Sequence, residues 1–198
     1  MGSADLKKCN GVFEGGGVRG IGHVGAACGI EEGGYEFVNL AGSSAGAIVA
    51  ALLAAGYECV ELKGEMESLD YTKMKGKDWI DHFGAVGKKI SIVLKITVSD
   101  LTEKRLLILP DGLREFGVEP DSFSVAAAVK MSVSIPVFFE PVRWKDGYGK
   151  KYLMVDGGLL SNYPVWVLDD GKKLPDLPTF GFKFVDEKET PGRQPGSV

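Results

Sequence analysis

The segment that most constrains this chain is the run Gly42-Ser43-Ser44-Ala45-Gly46, because it lies between a predicted strand and a predicted helix. Residues 35–40 alternate like a strand, and residues 45–55 form an apolar run that ends at Gly56. A G-x-S-x-G turn in this position bends the chain sharply and lifts the serine side chain clear of the backbone. Ser44 is therefore a candidate nucleophile, and an ordinary glycine-rich turn is the competing interpretation.

The order of the predicted elements is typical of an α/β protein. A strand, a helix, a second strand and a second helix follow one another in the first 56 residues, which predicts a parallel sheet. The helix over 47–55 is apolar on every face and is expected to be buried between the sheet and other helices. Further strands are predicted over 90–98, 105–109, 137–142, 152–155 and 180–185, and a capped helix over 124–132.

Length and composition indicate one globular domain. The chain has 198 residues, of which 44% are hydrophobic and 25% charged, and a single domain usually takes about 100 to 200 residues. We expect an N-terminal tail over residues 1–10, a folded domain over residues 11–185 and a flexible C-terminal tail over residues 186–198. The last segment is rich in proline and glycine, which favour disorder.

Charge and cysteine content exclude several classes of partner. The formal net charge is −4, so no positive field attracts nucleic acid and no such partner is expected. Cys9, Cys28 and Cys59 form no CxxC pair, which predicts three reduced thiols and no metal site. The chain start lacks an apolar export segment, and the run over 45–55 is about half the length of a membrane span. These features predict a cytoplasmic protein.

A glycine-rich loop follows the first predicted strand, with the sequence Gly15-Gly16-Gly17-Val18-Arg19-Gly20. Its backbone amides can line an oxyanion hole. The same residues also match the G-x-G-x-x-G pattern of dinucleotide-binding loops, through Gly15, Gly17 and Gly20 with Glu36 as the following acidic residue. Arg19 is open to two interpretations, a contact to a phosphate head group or a brace for the loop.

The positions of the two histidines disfavour a conventional Ser-Asp-His triad. The two histidines, His23 and His82, both precede the late acidic motif Asp156-Gly157-Gly158. Asp156 ends a predicted strand and is a candidate general base, although an aspartate near its ordinary pKa of about 3.9 accepts a proton from serine poorly. Partial desolvation of Asp156 would then be required. A hairpin turn is the alternative interpretation of the Asp-Gly-Gly segment.

The motifs GGGVRG, GSSAG and DGG, in this order, resemble those of the patatin-like phospholipases of bacterial type, over residues 12–185. The resemblance implies a three-layer α/β fold with a mostly parallel central sheet, no cofactor and a Ser-Asp dyad. Ser44 would be the nucleophile and Asp156 the base, and the amides of Gly15, Gly16, Gly17 and Ala45 would form the oxyanion hole. Supporting positions in these motifs would be Val18, Arg19, Gly20, Gly42, Gly46, Gly157 and Gly158. The loops Ser134-Ile135-Pro136 and Ser161-Asn162-Tyr163-Pro164 would have positioning roles.

The region from Tyr57 to Ile90 departs from the family pattern, since its lid and substrate-pocket elements are hard to align. Trp79, Phe83, Val86 and Ile90 fall at helical spacing and are flanked by lysines. The commoner explanation of such a stripe is a helix packed on the core with solvated lysines around it, and peripheral contact with an anionic membrane surface is the alternative.

The expected activity is hydrolysis of phospholipid or other acyl-ester substrates through an acyl-enzyme on Ser44. Two alternatives remain at this stage. One is a catalytically silent lipid-binding protein of the same fold, and the other is the dinucleotide-binding module.

Overall fold

In a computed structural model of the chain, the structure describes residues 6–69, 92–169, 171–172 and 175–185. The predicted stripe of Trp79, Phe83, Val86 and Ile90 lies outside the described residues, as does the predicted tail over residues 186–198.

The strands are β1 (Lys7–Phe13), β2 (Tyr35–Gly42), β3 (Val93–Asp100), β4 (Arg105–Leu109), β5 (Val142–Lys145), β6 (Lys151–Asp156) and β7 (Thr179–Phe182). They form one seven-stranded sheet with the order β5-β6-β3-β2-β1-β7, and β4 pairs with β3. Neighbouring pairs β1–β2, β1–β7 and β2–β3 are parallel, whereas β3–β4, β3–β6 and β5–β6 are antiparallel. The predicted α/β class, with helices flanking the sheet, is confirmed, and the sheet itself is mixed.

The helices follow the predicted order. They are α1 (Gly22–Glu32), α2 (Ala45–Ala54), α3 (Cys59–Ser68), α4 (Val125–Val133) and a short α5 (Gly158–Ser161). Every residue of α2 is buried, as expected from its apolar sequence. Helix α4 begins after Ser124, whose hydroxyl oxygen accepts a hydrogen bond from the Ala127 N–H. Short 3₁₀ segments lie at Gly17–Ile21, Asp111–Phe116, Pro120–Ser122 and Val165–Leu168.

The strand predicted over 180–185 ends at Phe182, and two other predicted boundaries differ further from the structure. Strand β1 begins at Lys7, which pairs with Tyr35, so residues 7–10 belong to the sheet rather than to a tail. The predicted strand over 137–142 begins only at Val142. The preceding residues form a turn in which the Phe139 N–H donates to the Ile135 carbonyl over 2.9 Å, with Val137 at a φ of 76°. A positive φ at a β-branched residue is incompatible with an extended strand.

The ends of β2 and β6 meet on one edge of β3. Ile96 of β3 pairs with both Gly42 and Leu109, and Val98 pairs with both Leu107 and Asp156. Because a strand residue has one neighbour on each edge, β4 occupies one edge while β2 and β6 share the other. Strand β2 runs parallel to β3 and β6 runs antiparallel. Their carboxyl ends therefore point at each other across the position of Thr97.

Helix α2 starts in close contact with the strand ends because two positions carry no side chain. A Cβ atom on Gly46 would overlap the carbonyl of Phe13 at the end of β1, and a Cβ on Gly42 would overlap the carbonyl of Gly46. Either overlap is with backbone, which cannot rotate away. The two glycines of the G-x-S-x-G turn therefore set how closely α2 approaches the sheet.

The expectation of three reduced thiols is wrong for two of them, since Cys28 and Cys59 form a disulfide. They are 31 residues apart in sequence, but α1 and α3 pack side by side and bring their Cα atoms to 5.3 Å. Cys9 remains a buried free thiol. The argument for a cytoplasmic protein from reduced thiols therefore loses its premise.

We predict that the Cys28–Cys59 disulfide stabilises the fold by about 3 to 4 kcal/mol, because it closes a long loop in the unfolded chain. The double variant Cys28→Ser/Cys59→Ser should melt on the order of 10 °C below the wild type. Dithiothreitol should lower the melting temperature of the wild type and leave that of the double variant unchanged. Titration of three free thiols in the denatured, unreduced wild type would refute this pairing.

We predict that Gly46→Ala costs about 2 to 4 kcal/mol of stability, since the added methyl group meets backbone. Gly25→Ala in α1 is the matched control, because a Cβ there has no neighbour within 4 Å and alanine favours the helix by about 0.5 to 1 kcal/mol. Urea unfolding of both variants measures the difference. Equal midpoints for Gly46→Ala and the wild type would contradict the packing described.

Candidate active site

Ser44 and Asp156 are joined by a hydrogen bond. The Ser44 Oγ donates to Asp156 Oδ2 over 2.5 Å, and both residues are buried. Ser44 follows the end of β2 and Asp156 ends β6, so the two strand ends that meet on β3 place this pair. Ser44 has a φ of 50°, a conformation that non-glycine residues rarely adopt and that is typical of strained functional turns. The structure thus brings together the two residues that the sequence pointed to.

Two further hydrogen bonds, one to the side chain and one from the main chain, hold Asp156 in place. Its Oδ1 accepts from the Gly158 N–H over 2.6 Å, and its own N–H donates to the Ser134 carbonyl over 2.9 Å. Burial raises the pKa of the Asp156 carboxyl above its ordinary value of 3.8, although the hydrogen bonds from Ser44 and Gly158 act in the opposite direction. A raised pKa makes this carboxylate a stronger base than an exposed aspartate.

Ser132 near the end of α4 contacts both halves of the site. Its Oγ accepts from the Ser44 N–H over 2.9 Å, and its carbonyl accepts from the Gly157 N–H over 3.2 Å. From the sequence, Ser132 is predicted to lie in a helix but not to belong to the site. The feature that could have identified Ser132 is its place among the apolar residues of a buried helix. A hydroxyl group buried there is costly unless it forms a hydrogen bond.

The glycine-rich loop lies against the serine, because a Cβ on Gly15 would be 3.1 Å from the Ser44 Cβ. The expectation that the Gly15 amide helps to form an oxyanion hole is wrong, since its N–H donates to the Asn162 carbonyl over 2.9 Å. Within the described ranges, no acceptor is found for the N–H of Gly16 or of Ala45. Ala45 is the first residue of α2, where amides have no partner within the helix.

The rest of the loop forms a 3₁₀ turn that begins at Gly17. Val18 and Arg19 are exposed and Gly20 is buried. The Arg19 guanidinium lies over the Phe184 ring at 5.0 Å, a contact that matches the bracing role rather than the phosphate contact.

A polar cluster below the loop, in which Glu14 and His23 are buried and Asn162 is exposed, was not identified from sequence. Glu14 Oε2 accepts from the Phe184 N–H over 2.6 Å, and Asn162 Nδ2 donates to the Gly15 carbonyl over 3.2 Å. The His23 Nε2 donates to the Glu14 carbonyl over 2.8 Å, and burial lowers the pKa of His23. These contacts connect the loop to Asn162 and to the residues that follow β7. A positioning role is the one expected for the segment that contains Asn162.

The dinucleotide-binding alternative does not fit the strand register. Glu36 pairs with Lys8 near the amino-terminal ends of two parallel strands, whereas the glycine loop follows Phe13 at their carboxyl ends. A ribose-binding acid is required beside the loop. Glu36 is therefore at the wrong end of the sheet.

Across the described parts of the chain, no group of three or more His, Cys, Asp and Glu side chains is arranged to hold a metal ion. Over the same ranges, every helix falls short of the length and apolar character that crossing a bilayer requires.

Comparison with known proteins places this site in a family context. The family model for patatin-like phospholipases matches residues 11–169. YqhO of Bacillus subtilis, an uncharacterized protein, is 38% identical over 84% of this chain and 68% of its own length. An uncharacterized NTE family protein of Mycobacterium tuberculosis is 30% identical over 79% of this chain, which spans only 27% of that relative.

Among solved structures, the crystal structure of VipD from Legionella pneumophila superposes with a TM-score of 0.55 at 16% identity, covering 82% of this chain and 47% of VipD. That likeness shows the fold. The family model matches most of the chain, so this chain belongs to the patatin-like phospholipase family.

Proposed function

We propose that this chain hydrolyses acyl ester bonds of phospholipids or lysophospholipids through an acyl-enzyme on Ser44. The observation that carries the proposal is the 2.5 Å hydrogen bond from the Ser44 Oγ to Asp156 Oδ2. A serine hydroxyl directed at a buried carboxylate, in a strained turn at the start of a helix, is the arrangement of an activated nucleophile.

In the first step, the Ser44 Oγ attacks the acyl carbonyl carbon while its proton passes to Asp156 Oδ2. The Gly158 N–H continues to bond Asp156 Oδ1, which keeps the carboxyl group oriented as it becomes neutral. Burial favours this proton transfer, because the neutral acid is better tolerated than the carboxylate away from water.

The negative charge on the substrate oxygen is stabilised by the amides of Gly16 and Ala45. Neither N–H has an acceptor within the described residues, and Ala45 stands at the positive end of the α2 dipole. Loss of one such donor typically reduces the rate about 10²- to 10³-fold. The Gly15 amide supports the loop through Asn162 instead.

The tetrahedral intermediate then collapses, and the bond between the acyl carbon and the leaving alcohol oxygen breaks as Asp156 returns the proton to that oxygen. A water molecule attacks the acyl-enzyme, giving its proton to Asp156, and the fatty acid leaves as Ser44 is reprotonated. No cofactor takes part in either half of this cycle.

The surroundings of the dyad favour a lipid substrate. Large apolar side chains are exposed in three segments at the site: one lies within the glycine-rich loop, one follows Ser134 and one follows Gly158. Such side chains can contact acyl chains or the surface of a lipid aggregate, and peripheral contact with a membrane is part of the proposal. They are Val18, Val137, Phe138, Leu159 and Leu160.

We predict that Ser44→Ala abolishes turnover of a short-chain p-nitrophenyl ester and labelling by a fluorophosphonate probe. Asp156→Asn should reduce kcat about 10²- to 10⁴-fold, since the base is lost. Ser122→Ala and Asp111→Asn are matched controls on exposed residues and should retain activity. A folded wild type that neither turns over ester nor is labelled would remove the proposal and favour the silent lipid-binding alternative.

We predict a pH profile that follows ionisation of Asp156. The base must be deprotonated, so kcat/KM should fall as the pH drops through the pKa of Asp156, which burial raises above 3.8. The acidic limb should therefore lie above that value, and circular dichroism at each pH should show the fold intact. A limb at or below the ordinary aspartate pKa, or no limb while the protein stays folded, would contradict the assignment.

A further inference from the structure

We propose that Ser132 is a positioning residue that holds the nucleophile in its reactive conformation through the hydrogen bond from the Ser44 N–H to the Ser132 Oγ. This inference rests on the proposed function and extends it to a residue outside the three sequence motifs. The bond measures 2.9 Å, and the Ser132 side chain is completely buried.

The need for such a residue follows from the backbone of Ser44. A φ of 50° with a ψ of −123° is unfavourable for serine. Such a conformation persists only where contacts with the surrounding structure hold it in place. The Ser44 N–H is buried and precedes the first turn of α2, where no helix carbonyl can accept it. Its acceptor is the Ser132 hydroxyl oxygen, so this bond opposes relaxation of Ser44 away from Asp156.

The end of α4 also holds the base, through different atoms. The Ser132 carbonyl accepts from Gly157 and the Ser134 carbonyl accepts from Asp156 itself, both through main-chain N–H groups. A single rigid segment therefore fixes the backbone of both dyad members. Among the described residues, only the bond to Ser44 uses the Ser132 side chain, so that bond can be removed alone.

Three variants separate positioning from general stability. Ser132→Ala removes the acceptor but keeps the carbonyl contact to Gly157, and alanine is favourable in a helix. Ser132→Thr retains the hydroxyl oxygen. Ser99→Ala is the matched control, because the Ser99 Oγ is equally buried and has no hydrogen-bond partner among the described residues.

Turnover of a short-chain ester is measured per active site titrated with a fluorophosphonate, so that unfolded protein does not count. Ser132→Ala should lower kcat about 10- to 100-fold, as expected for a misplaced nucleophile, with KM changed by no more than about twofold. The rate of fluorophosphonate labelling should fall by the same factor. Ser132→Thr should stay within about threefold of the wild type, and Ser99→Ala should equal it.

A second readout does not depend on activity. Amide hydrogen exchange at Ser44, followed by NMR with serine-selective labelling, should be faster in Ser132→Ala than in the wild type and unchanged in Ser99→Ala. The positioning role is overturned by a normal kcat in Ser132→Ala, by equal losses in Ser132→Ala and Ser132→Thr, or by unchanged exchange at Ser44. A wild type without turnover or labelling, but with faster exchange in Ser132→Ala, would instead remove the proposed function and leave the bond established.

Discussion

The meeting of two strand ends on one edge of β3 is the constraint on which the site depends. Strand β2 ends opposite Ile96 and strand β6 ends opposite Val98, and they approach from opposite directions. Residues that lie 112 positions apart in sequence are thereby brought into a hydrogen bond. A shift of either register by one residue would turn every side chain of that strand to the other face and separate the pair.

Both members of the pair are held in states that are unfavourable in isolation. Ser44 adopts an unfavourable backbone conformation with a positive φ, and Asp156 is a buried carboxylate whose pKa is raised by loss of solvent. Burial of the apolar helix α2 against the sheet offsets these costs, and Gly42 and Gly46 allow its close approach. Strain and desolvation are thus concentrated at the site where the proposed mechanism requires them.

The sequence predicted what local pattern and residue type determine. Strand β4 agrees with its predicted bounds, α4 with its cap at Ser124 lies within one residue of them, and the turn at Ser44 lies between its strand and helix. Contacts between residues distant in the chain could not be predicted from the sequence. The Cys28–Cys59 disulfide depends on how α1 packs against α3. The Gly15 N–H donates to the carbonyl of Asn162, which lies far along the chain. Ser132 was not predicted as a site residue because it lies outside the three sequence motifs.

The central claim is that Ser44 forms a covalent acyl intermediate with a lipid ester. The most direct measurement is to mix the protein with a palmitoyl lysophospholipid, quench with acid at short times and map the peptides by mass spectrometry. The account predicts a palmitoyl increment on the peptide that contains Ser44, which decays as the fatty acid is released. Fatty acid release without that adduct, or acylation of a different residue, would contradict it.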